Sequence, residues 1–135
     1  MAKVKRVMYF TANLTDKPGE LLKIMLTLKE KGINLAGLWG FATQPGKAQL
    51  YVVATDPKKL KKVWKAAGLL AEEGTGFFVQ GTDRKGALLN TLKALASAGV
   101  NIQAIDAIAV GGRFGSYIWV DPAGESKALK ALGVK

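Results

Sequence analysis

The chain contains no histidine and no cysteine. Those two absences exclude imidazole acid–base chemistry, thiol nucleophiles, disulfides, iron–sulfur clusters and the usual zinc sites together. Acidic residues are sparse, ten against twenty Lys and Arg, which leaves a net charge of +10 and permits polyanion binding without establishing it. Proline is scarce, with four in 135 residues. No apolar run reaches the ~18–20 residues a membrane-spanning helix requires, so no membrane partner is expected. What is present is globular in character. Hydrophobic residues make up 49% and charged residues 22%, too apolar for a disordered chain, and the length suits one ordinary domain or two very small ones.

The N-terminal Met1-Ala2-Lys3-Val4-Lys5-Arg6 has the charge of an export signal. The apolar stretch after it is short, broken by Thr11 and Asn13, and offers no cleavage site, so it reads as a strand and a cytoplasmic protein is expected.

The chain is written twice. Asp16-Lys-Pro-Gly-Glu-Leu-Leu and Asp83-Arg-Lys-Gly-Ala-Leu-Leu stand 67 residues apart, and the same offset aligns Leu28 with Leu95, Gly32 with Gly99 and Asn34 with Asn101. Seven of the 23 positions from 16 to 38 are identical. Two unrelated amphipathic helices would share apolar spacing, but not also the Asp-x-x-Gly entry and the Gly-x-Asn exit. The repeat is a tandem duplication, with modules expected at residues 1–73 and 74–135.

Each copy reads as strand, helix, strand, strand, helix, strand. Val4–Ala12 and Gly76–Gln80 are rich in β-branched and aromatic residues. Asp16 and Asp83 stand where helix N-caps are expected, and Gly32 and Gly99 where left-handed C-terminal stops are. Leu21, Met25 and Leu28, repeated as Leu88, Leu92 and Leu95, mark a helix packed on a sheet. Asn34–Thr43 and Ala48–Thr55 form a hairpin, matched by Asn101–Val110 and Ser116–Val120, and helices Pro57–Ala67 and Gly124–Leu132 follow. Gly74-Thr75-Gly76 reads as a linker. The first copy ends in a short strand near Leu69–Glu73, whereas Gly133-Val134-Lys135 leaves the second almost no room for one. The fold class is α+β: two ferredoxin-like βαββαβ modules with antiparallel sheets and helices on one face, the second lacking most of its last strand. An edge of the second sheet is then expected to be open or covered by another chain's strand.

Asp16-Lys-Pro-Gly-Glu-Leu-Leu between a strand and a helix, then Lys31-Gly-Ile-Asn-Leu, resembles the ACT domain, and Asp83-Arg-Lys-Gly-Ala-Leu-Leu with Ala98-Gly-Val-Asn-Ile is similar, with Lys85 in place of the usual proline. The resemblance spans residues 4–132 and is closest to small stand-alone tandem ACT proteins. It implies a non-enzymatic regulatory protein binding an amino acid where two modules meet, assembling as a homodimer or higher homo-oligomer, with a regulated enzyme as a further partner. Carried over by position, it implies ligand contacts from Asn13, Asp16, Lys17, Pro18 and Gly19 in the first strand–helix loop, from Asp83, Arg84 and Gly86 in the second, and from Asn34 and Asn101 at the following strands. The chemistry suits a zwitterion: free amides at a helix start for the carboxylate, an aspartate for the ammonium, and an amide side chain for either end. The plainer reading makes the aspartates caps, Gly19 and Gly86 turn residues, and the asparagines backbone partners.

Lys58, Lys61, Lys62 and Lys65 fall on one helix face opposite Leu60, Val63, Trp64 and Ala67. A solvated face is the ordinary explanation; nucleic-acid binding through these lysines is the alternative function, with nucleic acid otherwise not expected as a partner. Trp39, Phe41, Trp64 and Trp119 read as core or interface residues, although Trp39 and Phe41 also suit a pocket wall. No cofactor is expected, since neither glycine cluster has phosphate-loop or dinucleotide spacing, and no metal site or catalytic pairing of carboxylates is evident.

Overall fold

The first strand, β1 (Lys3–Thr15), runs through thirteen residues, about twice the usual strand length of ~5–6, with its fully buried stretch at Phe10–Ala12. The structure, a computed structural model, describes residues 2–134. It forms two compact units: Met8–Gly74, and one made from the segment up to Val7 together with the chain from Thr75 onward.

The first unit holds the later residues of β1, then α1 (Glu20–Glu30), β2 (Leu35–Gln44), β3 (Lys47–Ala54), α2 (Pro57–Ala66) and the opening residues of β4 (Leu70–Thr82). Strands run in the order β2-β3-β1-β4, with β3 antiparallel to both β1 and β2. Both helices pack on one face. Ile24 and Leu28 of α1 and Leu60 and Trp64 of α2 close over Phe10, Ala12, Leu50 and Val52. Thr11 is fully buried, and its hydroxyl accepts the Glu72 amide at 3.0 Å, fastening β4 to β1.

The second unit repeats the plan with the later part of β4, α3 (Leu89–Ser97), β5 (Ile102–Ile105), β6 (Ile108–Val110), β7 (Arg113–Val120) and α4 (Glu125–Leu132). Leu95 and Ala128 from its helices cover Phe77, Val79, Phe114 and Ile118. The fold class expected from the repeat, ferredoxin-type βαββαβ modules, is the one observed.

Four details differ from expectation. First, no strand follows α4 among the described residues, yet the edge beside β4 is neither open nor filled by another chain. β1 itself lies next to β4, its residues up to Val7 belong to the second unit, and Ala2 and Val4 pack against that unit's core. Arg6 adds an ion pair to Glu125 at 3.0 Å. The unusual length of β1 makes this possible, because one strand serves both units.

Second, Gly74-Thr75-Gly76 does join the two units, but as extended strand in the middle of β4 and not as a loop. These glycines permit close approach: a Cβ on Gly74 would stand 2.6 Å from the Tyr9 hydroxyl, and one on Gly76 3.2 Å from the Ile118 carbonyl. Third, the strand expected over Asn101–Val110 breaks at Asp106 into β5 and β6. The Asp106 carboxylate accepts the Tyr117 amide at 2.9 Å and its carbonyl accepts the Ser116 hydroxyl, so a side chain takes over part of the ladder. Fourth, Asp16 and Asp83 are not helix caps. Asp16 is tied by its own amide to the Gly46 carbonyl at 3.0 Å and Asp83 to Gly112 at 2.9 Å, and a turn intervenes before each helix. Gly19 occupies the α1 N-cap with no side-chain cap, and α3 begins only at Leu89. The stops are as expected: Gly32 and Gly99 adopt φ of 70° and 72°, and the next residues donate back to Leu28 and Leu95.

Tyr9, Trp39 and Phe41 group around Tyr51 in the first unit, with ring centroids 5.5–5.8 Å from it, while Phe78 and Tyr117 pair at 4.7 Å in the second. Burial first, and then Tyr51 and Glu72 for Tyr9, Glu72 for Tyr51 and Asp106 for Tyr117, hold these phenols above their ordinary pKa. The folded chain therefore keeps protons that the unfolded chain releases near pH ~10, and stability falls as pH rises from there toward the raised folded values. Urea titrations at pH 8 and pH 10.5 should lose less stability between the two when Tyr9, Tyr51 and Tyr117 are all phenylalanine than in the parent. An equal loss would contradict this cause.

Candidate functional site

In the first unit the turn between β1 and α1 meets the edge strand β2. The β1 end is fixed by the Asp16–Gly46 bond, and Lys17 donates its amide to Thr15 at 3.0 Å. Gly19 then takes φ of 89°, a left-handed geometry that favours glycine, and aims the chain into α1. Lys23 makes the first helical bond, back to Gly19, so the amides of Leu21 and Leu22 keep no protein acceptor among the described residues. Glu20 gathers the side-chain charge, lying 3.4 Å from Lys17 and 3.7 Å from Lys23.

Asp16, Lys17, Glu20 and Leu21 line a cavity of about 430 Å³, closed on the strand side by Leu38, Trp39 and Phe41. Leu38 also lines a neighbouring groove of about 600 Å³ that runs between α1 and β2 past Met25, Gly32 and Asn34. Asn34 spends its carbonyl on Thr55, which donates both its amide and its hydroxyl, at 3.0 and 3.1 Å. The side-chain amide of Asn34 has no partner among the described residues, so it does not serve the backbone role of the plainer reading. The Asp16 carboxylate likewise forms no ion pair there. The cavity therefore offers a free carboxylate, a lysine paired with Glu20 and unpaired main-chain donors beside an apolar wall, and the groove that meets it at Leu38 offers a free primary amide at the other end of α1. These groups have the donor and acceptor chemistry that a small polar or zwitterionic ligand uses.

The other expected positions fall elsewhere. Asn13 is exposed on β1 opposite Gln49 and borders a hollow beside the β2–β3 hairpin with Gly46 and Lys47. Pro18 is exposed in the turn. In the second unit Asp83 is exposed, Arg84 faces a separate hollow, Gly86 takes φ of 72° in the turn before α3, and Asn101 is exposed ahead of β5. Glu20 and Leu38 were not singled out by sequence. Glu20 looks like an ordinary first-turn acid, and Leu38 an ordinary strand residue, until the fold places them on one cavity.

Among the remaining signals, Trp64 is core and Phe41 is half exposed. Of the lysine face of α2, Lys61 is held by Glu73 at 3.1 Å, and Ala67 lies exposed at the helix end rather than in its buried stripe. Among the described residues no helix is long and apolar enough to cross a membrane.

No family model matches the chain, and no curated protein does. Solved structures do. The crystal structure of protein BT0572 from Bacteroides thetaiotaomicron covers 98% of this chain and 88% of its own, with TM-score 0.78 and 23% identity. The ligand-free regulatory subunit of aspartate kinase from Thermus thermophilus gives TM-score 0.63 at 18% identity, over 98% and 94%. Aspartate kinase from Clostridium acetobutylicum gives 0.52 at 15%, covering 98% of this chain and 33% of that enzyme. At these identities the shared property is the fold, which is the ACT-like, ferredoxin-type fold of the regulatory part of aspartate kinase.

Proposed function

We propose that the protein is a non-enzymatic regulatory module that binds a free amino acid in the first unit, against the Asp16–Leu22 turn and the neighbouring Asn34 groove. The observation that carries the reading is the shared Leu38 wall, which joins a cavity holding a free carboxylate and the Glu20-paired Lys17 to a groove holding a free amide. A zwitterion needs acceptors for its ammonium and donors for its carboxylate within a few ångströms, and partial shielding from water strengthens both. Asp16 serves the ammonium; the Leu21 and Leu22 amides and Lys17 serve the carboxylate; Asn34 and the groove receive the side chain. The fold shared with aspartate-kinase regulatory subunits supports a regulatory role. Binding would act by differential affinity for two states of a homo-oligomer or of a partner enzyme.

Calorimetry of the full chain against the twenty amino acids tests it. Saturable binding of one or a few is expected, weakened about tenfold or more in both Asp16→Asn and Asn34→Ala, roughly 1.4 kcal/mol each. No binding by any of them to folded protein would overturn the reading. Steeply salt-dependent binding of an oligonucleotide, lost when Lys58, Lys62 and Lys65 become glutamate, would transfer the function to α2.

A further inference from the structure

The two units carry the same cationic loop–hairpin junction, but only in the first does an acidic side chain pair with one of its cations. In both, the residue at the end of the first strand faces a cation across the ladder: Thr15 is paired with Lys47, and Thr82 with Arg113. In both, the aspartate after that threonine donates its amide to the hairpin glycine before that cation. A second cation follows, Lys17 or Arg84. The first unit balances part of its copy, because Lys17 is paired with Glu20. Ala87 stands where Glu20 would be, so the second unit has no such acid.

There the N-terminal segment adds a third positive charge. Lys3, Arg84 and Arg113 line one cavity of about 410 Å³ together with Gln80 and Thr82, and no acidic residue lines it. None of the three cations has an ion-pair partner among the described residues. Gly81 keeps the floor low, since a Cβ there would stand 3.1 Å from the Phe114 ring and 3.4 Å from Ala2. The amides of Arg84, Lys85 and Gly86 also lack a protein acceptor there. Three like charges on one concavity repel one another unless an anion joins them, and two arginines present planar forks that match the oxygens of an oxyanion.

The geometry points to an anion-binding site in the second unit, formed by Lys3, Arg84 and Arg113 and suited to a phosphate group, whether free or carried as a monoester on a small metabolite. It lies on the other unit from the amino-acid site and stands or falls separately. A divalent oxyanion takes one guanidinium fork on each side, with the Thr82 hydroxyl and the turn amides completing its shell. A carboxylate, with one charge and two oxygens, leaves part of that set unused.

The test is an amide-resolved NMR titration of the full chain with sodium phosphate, and separately with phenyl phosphate, each against sodium chloride at matched ionic strength. Saturable shifts centred on Thr82–Gly86 and Gly112–Phe114 are expected, weakened about tenfold or more in the Arg84→Gln/Arg113→Gln chain. They should be unchanged in a Lys58→Gln/Lys62→Gln chain. Tighter binding of phenyl phosphate than of phosphate assigns the site to a monoester, and the reverse order to the free ion. Both guanidiniums are exposed, and the same spectra report whether the fold persists; Arg84→Lys/Arg113→Lys, which keeps charge but removes the forks, gives a second reading and should still weaken binding. Shifts that spread over every lysine-rich surface without saturating, or binding indifferent to the arginine substitutions, would overturn the proposal. So would binding of RNA alone through α2.

Discussion

Removing residues 2–7 should unfold the second unit's sheet edge while leaving the first unit's core protected. Val4 packs against the Phe77, Val79 and Ile118 cluster, and Arg6 is paired with Glu125. Burying a side chain such as valine contributes about 1.5–3 kcal/mol, and each ladder hydrogen bond about 0.5–1.5 kcal/mol, so the segment as a whole is worth at least ~3 kcal/mol. Among the described residues no strand follows α4 to replace it. Hydrogen exchange should therefore show protection in Phe77–Thr82 and Arg113–Val120 falling by about a hundredfold or more, with Leu50–Val52 much less affected. Unchanged protection in β4 and β7 would mean that the N-terminal segment only decorates that edge.

The second large effect is at Trp64. Its side chain is fully buried between α2 and the sheet, and its indole Nε1 has no hydrogen-bond acceptor among the described residues. Trp64→Ala should cost about 3–5 kcal/mol through lost burial and the cavity left behind. Trp64→Phe should cost under about 1.5 kcal/mol, because it keeps a ring in place while removing a buried polar group whose lack of a partner costs about 1–3 kcal/mol. The two costs act in opposite directions in the phenylalanine chain. Urea midpoints for the two variants check this. Equal destabilisation would contradict this account, because a retained ring would then contribute nothing.

Much of the fold was legible because its signals are periodic or are tied to backbone geometry. The 67-residue offset exposed the duplication, the Leu21/Met25/Leu28 stripe gave α1, and Gly32 and Gly99 marked helix stops where only a left-handed residue suits. The long-range facts were not legible. Val4 looks the same whether its strand completes its own unit or the other one. Gly74 and Gly76 look like a linker because a strand interior seldom contains glycine; only the Tyr9 ring and the Ile118 carbonyl reveal why they are needed. Asp16 and Asp83 sit at the distance of a cap, but their amides are bound to hairpins remote in sequence, and this displaces the helix starts. At the candidate site, Asp16, Lys17 and Asn34 were singled out by residue type and position. Leu38 was not, because its part depends on the cavity and the groove meeting at one side chain.

The site itself is tested most directly by locating a bound amino acid through the chain's own amides. With the tightest-binding amino acid at saturation, the largest backbone shifts should fall on Asp16–Leu22 and Asn34–Leu38, and should vanish in an Asp16→Asn/Asn34→Ala chain that keeps the parent's spectrum elsewhere. Saturable shifts confined to other parts of the chain, or persisting in that double variant, would contradict the assignment.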